Sequence, residues 1–354
     1  MHLQRVRTYF HAGGASIVLP ILLLILSTVS CAGPRVAEEA LERFEYEEAH
    51  MNLPFRIVLY APTKAQADEA ARAAFRRIEE LNGIMSDYDL ESELSHLSRS
   101  SGQGKVVAVS TDLWRVLERA AQLSAECGGA FDVTVGPYVK LWRKARRDHH
   151  LPEPERLERA RRAVGYQKMK LDSARHSVEL LVPDMRLDLG GIAKGYALDA
   201  ALKVLQAHGI RRALVSGGGD MALGEAPPGK PGWRIELAPL DVTNAPPAKF
   251  VLLRNRGLAT SGDLFQHVEI DGKRYSHIVD PRTGIGLTDH SLVTVIARDG
   301  MTADSLTKVV SVLGPEKGLN FIGKKTKAEA RVSRQPGSSL EVVESPGFAR
   351  FYAP

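Results

Sequence analysis

Cysteine is almost absent from this chain, which has only Cys31 and Cys127 among its 354 residues. A framework of several disulfide bonds is therefore excluded, and if Cys31 is modified no disulfide can form within the chain. The folded protein must then be stabilised by its hydrophobic core. Roughly 320 residues remain after an N-terminal leader, which is enough to build one large domain or two lobes.

A basic stripe interleaved with aromatic residues, the usual signature of nucleic-acid binding, is also missing. Aromatic residues make up 6% of the sequence, and the formal net charge is +5. Part of that excess lies in the leader and in the basic run at residues 143–147. We therefore expect no nucleic-acid partner.

The apolar run near the start of the chain, Ala15–Val29, is too short for a comfortable membrane span. Arg5 and Arg7 precede it, and small residues lead into Cys31. This pattern resembles a bacterial lipoprotein signal, which would make residues 1–30 a cleaved leader and Cys31 the lipidated first residue of the mature chain. An ordinary cleaved signal peptide is the alternative.

Both interpretations of the leader predict an exported protein. With lipid on Cys31, residues 31–50 would form a tether, and the protein would be anchored to the cell membrane and face the periplasm. The lipid would hold the protein at the membrane surface without a spanning helix.

Helical and strand patterns are mixed along the rest of the chain. Thr63 and Gln66 form a capping-box pattern before an apolar stripe that Gly83 ends. Further helices are predicted at 111–128, after the Gly190-Gly191 pair and from Thr302 to Gly314-Pro315. Strands are predicted at 55–60, 212–215, 233–238, 257–260, 274–279 and 291–297. Because helices do not alternate strictly with strands, an α+β fold is favoured over a doubly wound parallel sheet.

The stretch Leu187-Asp-Leu-Gly-Gly-Ile-Ala-Lys-Gly195 predicts the end of a buried strand, a glycine turn and a helix start. This geometry directs backbone N–H groups and a helix N-terminus at an anion. Lys194 in the first helical turn opposes the helix dipole, which is tolerable beside an anion. The stretch matches neither the Walker loop nor the G-x-G-x-x-G fingerprint. An ordinary turn with a solvated lysine is the alternative interpretation.

Polar and glycine-rich clusters recur at the ends of the other predicted elements, where sites are usually built. Each one taken singly is compatible with a turn or a helix cap. The clusters are Ser86–Tyr88 with Ser92–Ser95, Gly129–Pro137, Ser216–Asp220, Thr260–Asp263, Ser276–Gly284 and Thr302–Lys308.

In order along the chain, these motifs resemble the FAD:protein FMN transferases, the ApbE-type lipoproteins once linked to thiamine biosynthesis. The matching motifs include Ser-Glu-Leu-Ser, Phe-Asp-Val-Thr-Val-Gly-Pro, Asp-Leu-Gly-Gly-Ile-Ala-Lys-Gly-Tyr, Thr-Ser-Gly-Asp and His-Ile-Val-Asp-Pro-Arg-Thr-Gly. The resemblance runs from Met51 to about Gly314. It implies a two-lobed α+β fold with the flavin nucleotide in the cleft between the lobes. The domain is expected over residues 51–325, with 326–354 as a tail that packs on it or trails it.

The resemblance also implies an activity. Family members bind FAD and Mg²⁺, move the FMN half onto a Thr or Ser hydroxyl of a partner redox protein as a phosphoester, and release AMP. Two alternatives remain open, a periplasmic FAD pyrophosphatase that yields FMN and AMP, and a non-catalytic flavin carrier. An acceptor with a segment like Asp-x-x-Thr/Ser-Gly-Ala-Thr would favour the transferase, whereas a carrier has no need of a general base.

His277 is the best candidate for that base, because an imidazole with an ordinary pKa near 6.5 is suited to take a proton from a hydroxyl. Asp280, three residues later across a turn, is the candidate for orienting it. A buried strand-end histidine bonded to the backbone is the alternative. The resemblance implies FAD contacts at Met51, Tyr88, Ala130, Phe131, Asp132, Asp188, Lys194 and Ile278. The family's Met-Gly-Thr is Met-Asn-Leu here.

Asp304 is the best-placed carboxylate for a hard cation, which prefers oxygen ligands. The resemblance adds the backbone carbonyl of Gly191 and an oxygen of Thr307 as further Mg²⁺ ligands. Lys308 stands where many family members have Thr. Its ammonium would either reinforce or replace the charge of the metal, so the metal stoichiometry stays open.

Overall fold

The computed structural model describes residues 40–241, 247–263, 266–337 and 339–354. The predicted leader, Cys31 and the first part of the predicted tether lie outside the described residues. Residues Ala40–Pro354 form one compact unit. None of the helices in the described ranges is both long and apolar enough to cross a membrane.

The described chain contains both helices and strands, which confirms the predicted α+β class. The helices are α1 Lys64–Met85, α2 Glu93–Arg99, α3 Thr111–Glu126, α4 Gly136–Asp148, α5 Pro154–Ala163, α6 Ala193–Ala207 and α7 Gly300–Lys325. The strands are β1 Glu42–His50, β2 Leu53–Ala61, β3 Val106–Ala108, β4 Met169–Asp172, β5 Ser177–Leu180, β6 Ala213–Gly217, β7 Asp220–Leu223, β8 Trp233–Leu237, β9 Lys249–Leu253, β10 Arg256–Gly262, β11 His267–Ile270, β12 Lys273–Ser276, β13 Val279–Asp280, β14 Ile285–Gly286, β15 Ser291–Ala297, β16 Glu329–Arg334 and β17 Glu341–Glu344.

The main sheet has eight strands in the order β1-β2-β6-β7-β10-β15-β16-β17. Every neighbouring pair in it is antiparallel. Side chains of β2 alternate between its two faces, as the strand period requires. Phe55, Ile57 and Leu59 pack against α1 and α6, whereas Val58 packs with Trp233 of the β8–β9 ribbon on the other face. The sheet is therefore covered by helices on one face and by a two-stranded ribbon on the other.

The N-terminal segment corrects one prediction. Glu42–His50, expected as part of a tether over residues 31–50, forms the edge strand β1 and pairs with β2 over its full length. Phe44 and Tyr46 alternate onto the core, and the Tyr46 hydroxyl donates to Asp68 at 2.7 Å. Met51 and Asn52 both have positive φ and form the two-residue turn of this hairpin.

The C-terminal region also belongs to the sheet, because residues 329–334 and 341–344 of the predicted tail are strands β16 and β17. The preceding helix, predicted to stop at Gly314-Pro315, breaks there and then resumes. Gly314 has φ 76°, outside the helical region, and α7 continues to Lys325. Proline suits the first turn of the resumed segment because its missing N–H has no helical partner there.

Two helix starts meet behind the predicted glycine turn. Gly195 in the first turn of α6 lies directly against the backbone of Gly300 at the start of α7. The Asp199 carboxylate accepts the N–H groups of Gly300 and Met301 at 2.7 and 2.9 Å, and burial raises its pKa to about 6. These contacts hold Asp304 of α7 under the turn, where the Gly195 N–H donates to its Oδ2 at 3.1 Å.

Candidate active site

A cavity of about 710 Å³ opens beside the glycine turn. Its volume is in the usual range for a small-molecule site. Its walls come from separate parts of the chain, including the segment before α4, the end of β10 and the start of β13. Ten residues proposed from the sequence line it, namely Tyr88, Ala130, Phe131, Asp132, Asp188, Gly191, Lys194, His277, Ile278 and Lys308.

The glycine turn leads into a helix as predicted, but Leu187–Leu189 is a buried extended connection rather than a strand. Asp188 organises the turn, because its Oδ1 accepts the Gly190 N–H at 2.9 Å. Neither Gly190 nor Gly191 has positive φ. Glycine is favoured at position 191 by lack of space for a side chain, since a Cβ there would lie 3.3 Å from atoms of both Phe131 and Lys308.

Two lysine–carboxylate pairs lie behind this turn. The Lys194 ammonium contacts Asp220 Oδ2, and Lys308 Nζ lies 2.7 Å from Asp304 Oδ1. Both carboxylates are fully buried, and both lysine side chains are mostly buried. Thr260 donates its N–H to the other oxygen of Asp220 at 3.0 Å. The interpretation of Lys194 as a solvated lysine is therefore wrong.

Charges of this cluster outweigh the cost of burial at Lys194 and Asp304, whereas burial prevails at Asp220 and raises its pKa. Burial alone would lower the pKa of Lys194, but the carboxylates of Asp220 and Asp304 raise it above its ordinary value. Burial alone would raise the pKa of Asp304, but the charges of Lys308 and Lys194 and the hydrogen bonds from Lys308 and the Gly195 N–H hold it below its ordinary value. Lys194 is therefore charged next to the cavity at neutral pH.

His277 lies half-buried at the wall of the same cavity. Its Nδ1 is 3.1 Å from the backbone oxygen of Gln266, which can only accept a hydrogen bond. Nδ1 therefore carries the proton in the neutral ring, and Nε2 keeps its lone pair without a partner among the described residues. Burial, reinforced by the charge of Lys308, lowers the pKa of His277 to about 4. A neutral imidazole with a free Nε2 is the form that accepts a proton.

The role predicted for Asp280 is wrong. Its carboxylate pairs with Arg282, at 2.9 Å to Nε and 2.8 Å to Nη2, and does not contact His277. Its backbone oxygen accepts the Gly284 N–H at 2.8 Å, so the residue closes the turn between β13 and β14. Proximity in the sequence suggested Asp280, but the Gln266 carbonyl orients the ring.

Two arginines of α4 that the sequence motifs did not single out also belong to the site. Arg143 and Arg146 lie three positions apart, on the helix face that lines the cavity. Arg143 pairs with Asp87 at 2.5 Å and Asp188 at 3.1 Å, and its guanidinium stacks 4.1 Å from the centre of the Tyr88 ring. In the sequence these arginines stand out only as part of the basic run at residues 143–147. Their i,i+3 spacing was the one signal that they share a helix face.

Arg146 differs from Arg143 because no carboxylate pairs with it within the described ranges. It is half-buried and lines the cavity. Burial lowers the pKa of its guanidinium, and the charge of Arg143 adds to this effect. An uncompensated cation at a cavity wall favours an anionic ligand.

Some proposed residues lie away from the cavity surface. Met51 is in the β1–β2 turn, and Leu53 lines the cavity in its place. Asp304 and Thr307 are fully buried beneath the wall. Asp132 lines the cavity, but its carboxylate accepts the N–H groups of Thr134 and Tyr166 at 2.8 and 2.7 Å and so holds the loop together.

The residues proposed for Mg²⁺ do not fit a metal as they are arranged. Both Asp304 oxygens already accept hydrogen bonds, from Lys308 and from Gly195. The Thr307 hydroxyl is buried and donates to the Asp304 backbone oxygen at 2.6 Å. No group of three or more His, Cys, Asp or Glu residues in the described part of the chain could hold a metal ion.

Comparison with known proteins gives a consistent result. The model of the ApbE family matches residues 51–332. The chain is 35% identical over 254 residues to the FAD:protein FMN transferase of Haemophilus influenzae, covering 70% of this chain and 73% of that protein. It is 36% identical over 249 residues to the protein of the same name from Vibrio cholerae, covering 69% and 73%.

Solved structures agree with these sequence matches. The flavin transferase ApbE from Vibrio cholerae superimposes with a TM-score of 0.79 at 28% identity, covering 88% of this chain and all of that one. The ApbE protein from Thermotoga maritima has a TM-score of 0.78 at 26% identity, with the same coverage.

Proposed function

The chain belongs to the ApbE family, and from that membership we propose that it is an FAD:protein FMN transferase. It cleaves FAD, attaches FMN through a phosphoester to a Thr or Ser of a partner redox protein, and releases AMP. One observation supports this most directly. His277, neutral and with a free Nε2, lines the same cavity as the glycine turn, Lys194 and Lys308.

In the proposed reaction, the oxygen of the acceptor hydroxyl attacks the phosphorus of the FMN half of FAD. At the same time His277 Nε2 takes the proton of that hydroxyl. A new P–O bond forms to the acceptor, the pyrophosphate P–O bond breaks, and AMP leaves with the bridging oxygen. Phosphoryl transfer depends mainly on positioning and on neutralisation of charge on the phosphoryl oxygens. The glycine turn lets backbone N–H groups approach those oxygens, and the cavity cations supply the charge.

The hydrolase and carrier alternatives make different demands on the same cavity. A pyrophosphatase would let water attack in place of the acceptor hydroxyl, whereas a carrier would have no use for a base with a free Nε2. The names of the relatives favour transfer over both.

The test is to incubate the protein with FAD and a peptide of the Asp-x-x-Thr/Ser-Gly-Ala-Thr type, and to weigh the products. Transfer adds FMN minus water to the peptide and releases AMP. Free FMN with unmodified peptide would support hydrolysis, and intact FAD would support a carrier.

The family resemblance predicts Mg²⁺ at this site. The same resemblance is the basis for proposing a partner redox protein as the acceptor. Because the side-chain oxygens of Asp304 and Thr307 are engaged in hydrogen bonds within the protein, no step of the proposed mechanism passes through a metal.

Replacing Arg146 with Ala is expected to weaken FAD binding. The pyrophosphate is anionic, and a charge-assisted contact contributes roughly 1.5–3 kcal/mol, so Kd should rise about ten- to hundredfold. Quenching of flavin fluorescence during titration with FAD measures this Kd. Arg147→Ala is the matched control, because Arg147 is adjacent on α4 but 73% exposed and paired with Asp148. Equal affinities for the two variants would show that Arg146 does not contact FAD.

We also propose that the protein is exported and anchored to the membrane through lipid on Cys31, facing the periplasm. The Cys31→Ser variant should lose the mass of the lipid and leave the membrane fraction. Cys127→Ser, which changes a buried cysteine within the fold, should stay membrane-bound. Intact mass and detergent partitioning measure both effects. A Cys31→Ser protein that is still wholly membrane-bound would contradict the proposal.

A further inference from the structure

We propose that the Lys308 ammonium is the resident cation of this site, contacting the transferring phosphoryl group in place of a divalent metal. This inference rests on the proposed function and names a catalytic residue for it. It predicts that FMN transfer proceeds in the presence of a chelator.

The position of Lys308 is the first argument. Its Nζ lies 2.7 Å from Asp304 Oδ1, one helical turn earlier in α7. Its methylene stem packs on Gly191, where an added Cβ would lie 3.3 Å from Cγ and 3.5 Å from Cε. The side chain thus runs between the glycine turn and the Asp304 carboxylate, the two places at which the sequence predicted metal ligands.

The second argument is that both carboxylate oxygens of Asp304 already accept hydrogen bonds. Asp304 is fully buried, with one oxygen on Lys308 and the other on the Gly195 N–H. A metal ion on this carboxylate would either share it with the ammonium, against the repulsion between two adjacent cations, or displace the ammonium from its partner. Separating a buried ion pair is strongly unfavourable because it leaves an uncompensated charge.

The place of Lys308 in the wall of the cavity is the third argument. Lys308 lines the cavity together with His277 and Lys194. A lysine ammonium has three donors, so the bond to Asp304 leaves two for a ligand. Its charge also helps to lower the pKa of His277, after burial, which places the cation within electrostatic reach of the proposed base. A phosphoryl group beside His277 would therefore meet this ammonium.

Three variants test the inference. Lys308→Met removes the charge at similar length, Lys308→Arg keeps a cation, and Lys308→Thr replaces the ammonium with a hydroxyl oxygen. Lys317→Met, at an exposed position on the same helix, is the matched control. Circular dichroism first establishes that each protein folds. AMP release is then measured in Mg²⁺ and in EDTA, and Mn²⁺ binding is measured by electron paramagnetic resonance.

Wild type, Lys317→Met and Lys308→Arg should release AMP in EDTA at no less than about half their rate in Mg²⁺, and should bind no stoichiometric Mn²⁺. Lys308→Met should lose about 10²-fold or more in rate under both conditions, as when one preorganised charge-stabilising group is removed. Lys308→Thr should be inactive in EDTA, regain activity with Mg²⁺ and bind Mn²⁺.

Stoichiometric Mn²⁺ on wild type, or loss of its activity in EDTA, would overturn the inference. An unchanged rate in Lys308→Met would do the same. If wild type moves no FMN under any condition, the proposed function fails. The Mn²⁺ measurement then still decides whether Lys308 occupies the cation position, because it does not require turnover.

Discussion

Replacing His277 with Ala is expected to slow AMP release by about 10²–10⁴-fold and to leave FAD bound. The imidazole lines the cavity and keeps a free Nε2, while Nδ1–H is fixed by the Gln266 carbonyl. Removal of the ring takes away the proton acceptor but none of the cations that would hold FAD. Single-turnover AMP release and flavin fluorescence titration separate the two effects.

His96→Ala is the control for this variant, because His96 is exposed on α2 and its ring bonds only to Glu91 among the described residues. It should release AMP at the wild-type rate. Full activity in His277→Ala would remove the mechanism proposed here, whereas weakened FAD binding with an unchanged rate constant would make His277 a binding residue.

The pH dependence of wild type gives a separate check on the same residue. Because burial lowers the pKa of His277 to about 4, its ring is neutral at pH 5–8 and accepts a proton throughout that range. The value of kcat/KM, which reports the free enzyme, should therefore fall only as the pH drops through about 4. An acidic limb near 6.5, the ordinary value for histidine, would show that the ring is not buried as described.

The second large effect is expected in stability, from Gly195→Ala. A Cβ at this position would overlap the backbone oxygen of Gly300, and neither helix start can move without breaking the contacts of Asp199. Overpacking against a rigid backbone should cost about 3 kcal/mol or more. The melting temperature should fall by roughly 5–10 °C, and urea denaturation measures the free-energy change directly. Activity should fall too, because the Gly195 N–H donates to Asp304.

Gly83→Ala is the matched control for this substitution. Gly83 is an exposed residue within α1, and a Cβ there meets no atom within 4 Å. Alanine should therefore stabilise the protein by roughly 0.5–1 kcal/mol, because it loses less backbone entropy in a helix. If both glycine variants had the same stability, the close approach of α6 and α7 would be disproved.

The helices show how local patterns were sufficient for much of the fold. The apolar stripe of α1 was predicted from its spacing, and Thr63 caps the helix by accepting the Gln66 N–H at 3.3 Å. The second half of the capping box is absent, because the Gln66 side chain donates to the His208 backbone oxygen at 3.1 Å. A local pattern fixed the helix start, and a residue distant in sequence determined where the glutamine side chain bonds.

The amino-acid sequence by itself determined the α+β class, the family, the glycine turn before α6 and the position of His277. These features depend on residues that are neighbours in the chain, where steric limits and helix or strand periodicity act directly. The partner of His277 depended on the fold, because Asp280 is closer in sequence while the Gln266 carbonyl is closer in space.

Only the tertiary structure decided which charges meet in the site. Lys194 pairs with Asp220 on β7, and Arg143 on α4 pairs with Asp188, 45 residues away. Lys308 pairs with Asp304 through the i,i+4 spacing of a single helix, but it reaches Gly191 because α6 and α7 meet at Gly195. Buried charges must find partners or pay the full cost of desolvation, and the available partners are set by how the helices pack on the sheet. No periodicity along the chain predicts the pairs Lys194–Asp220 and Arg143–Asp188.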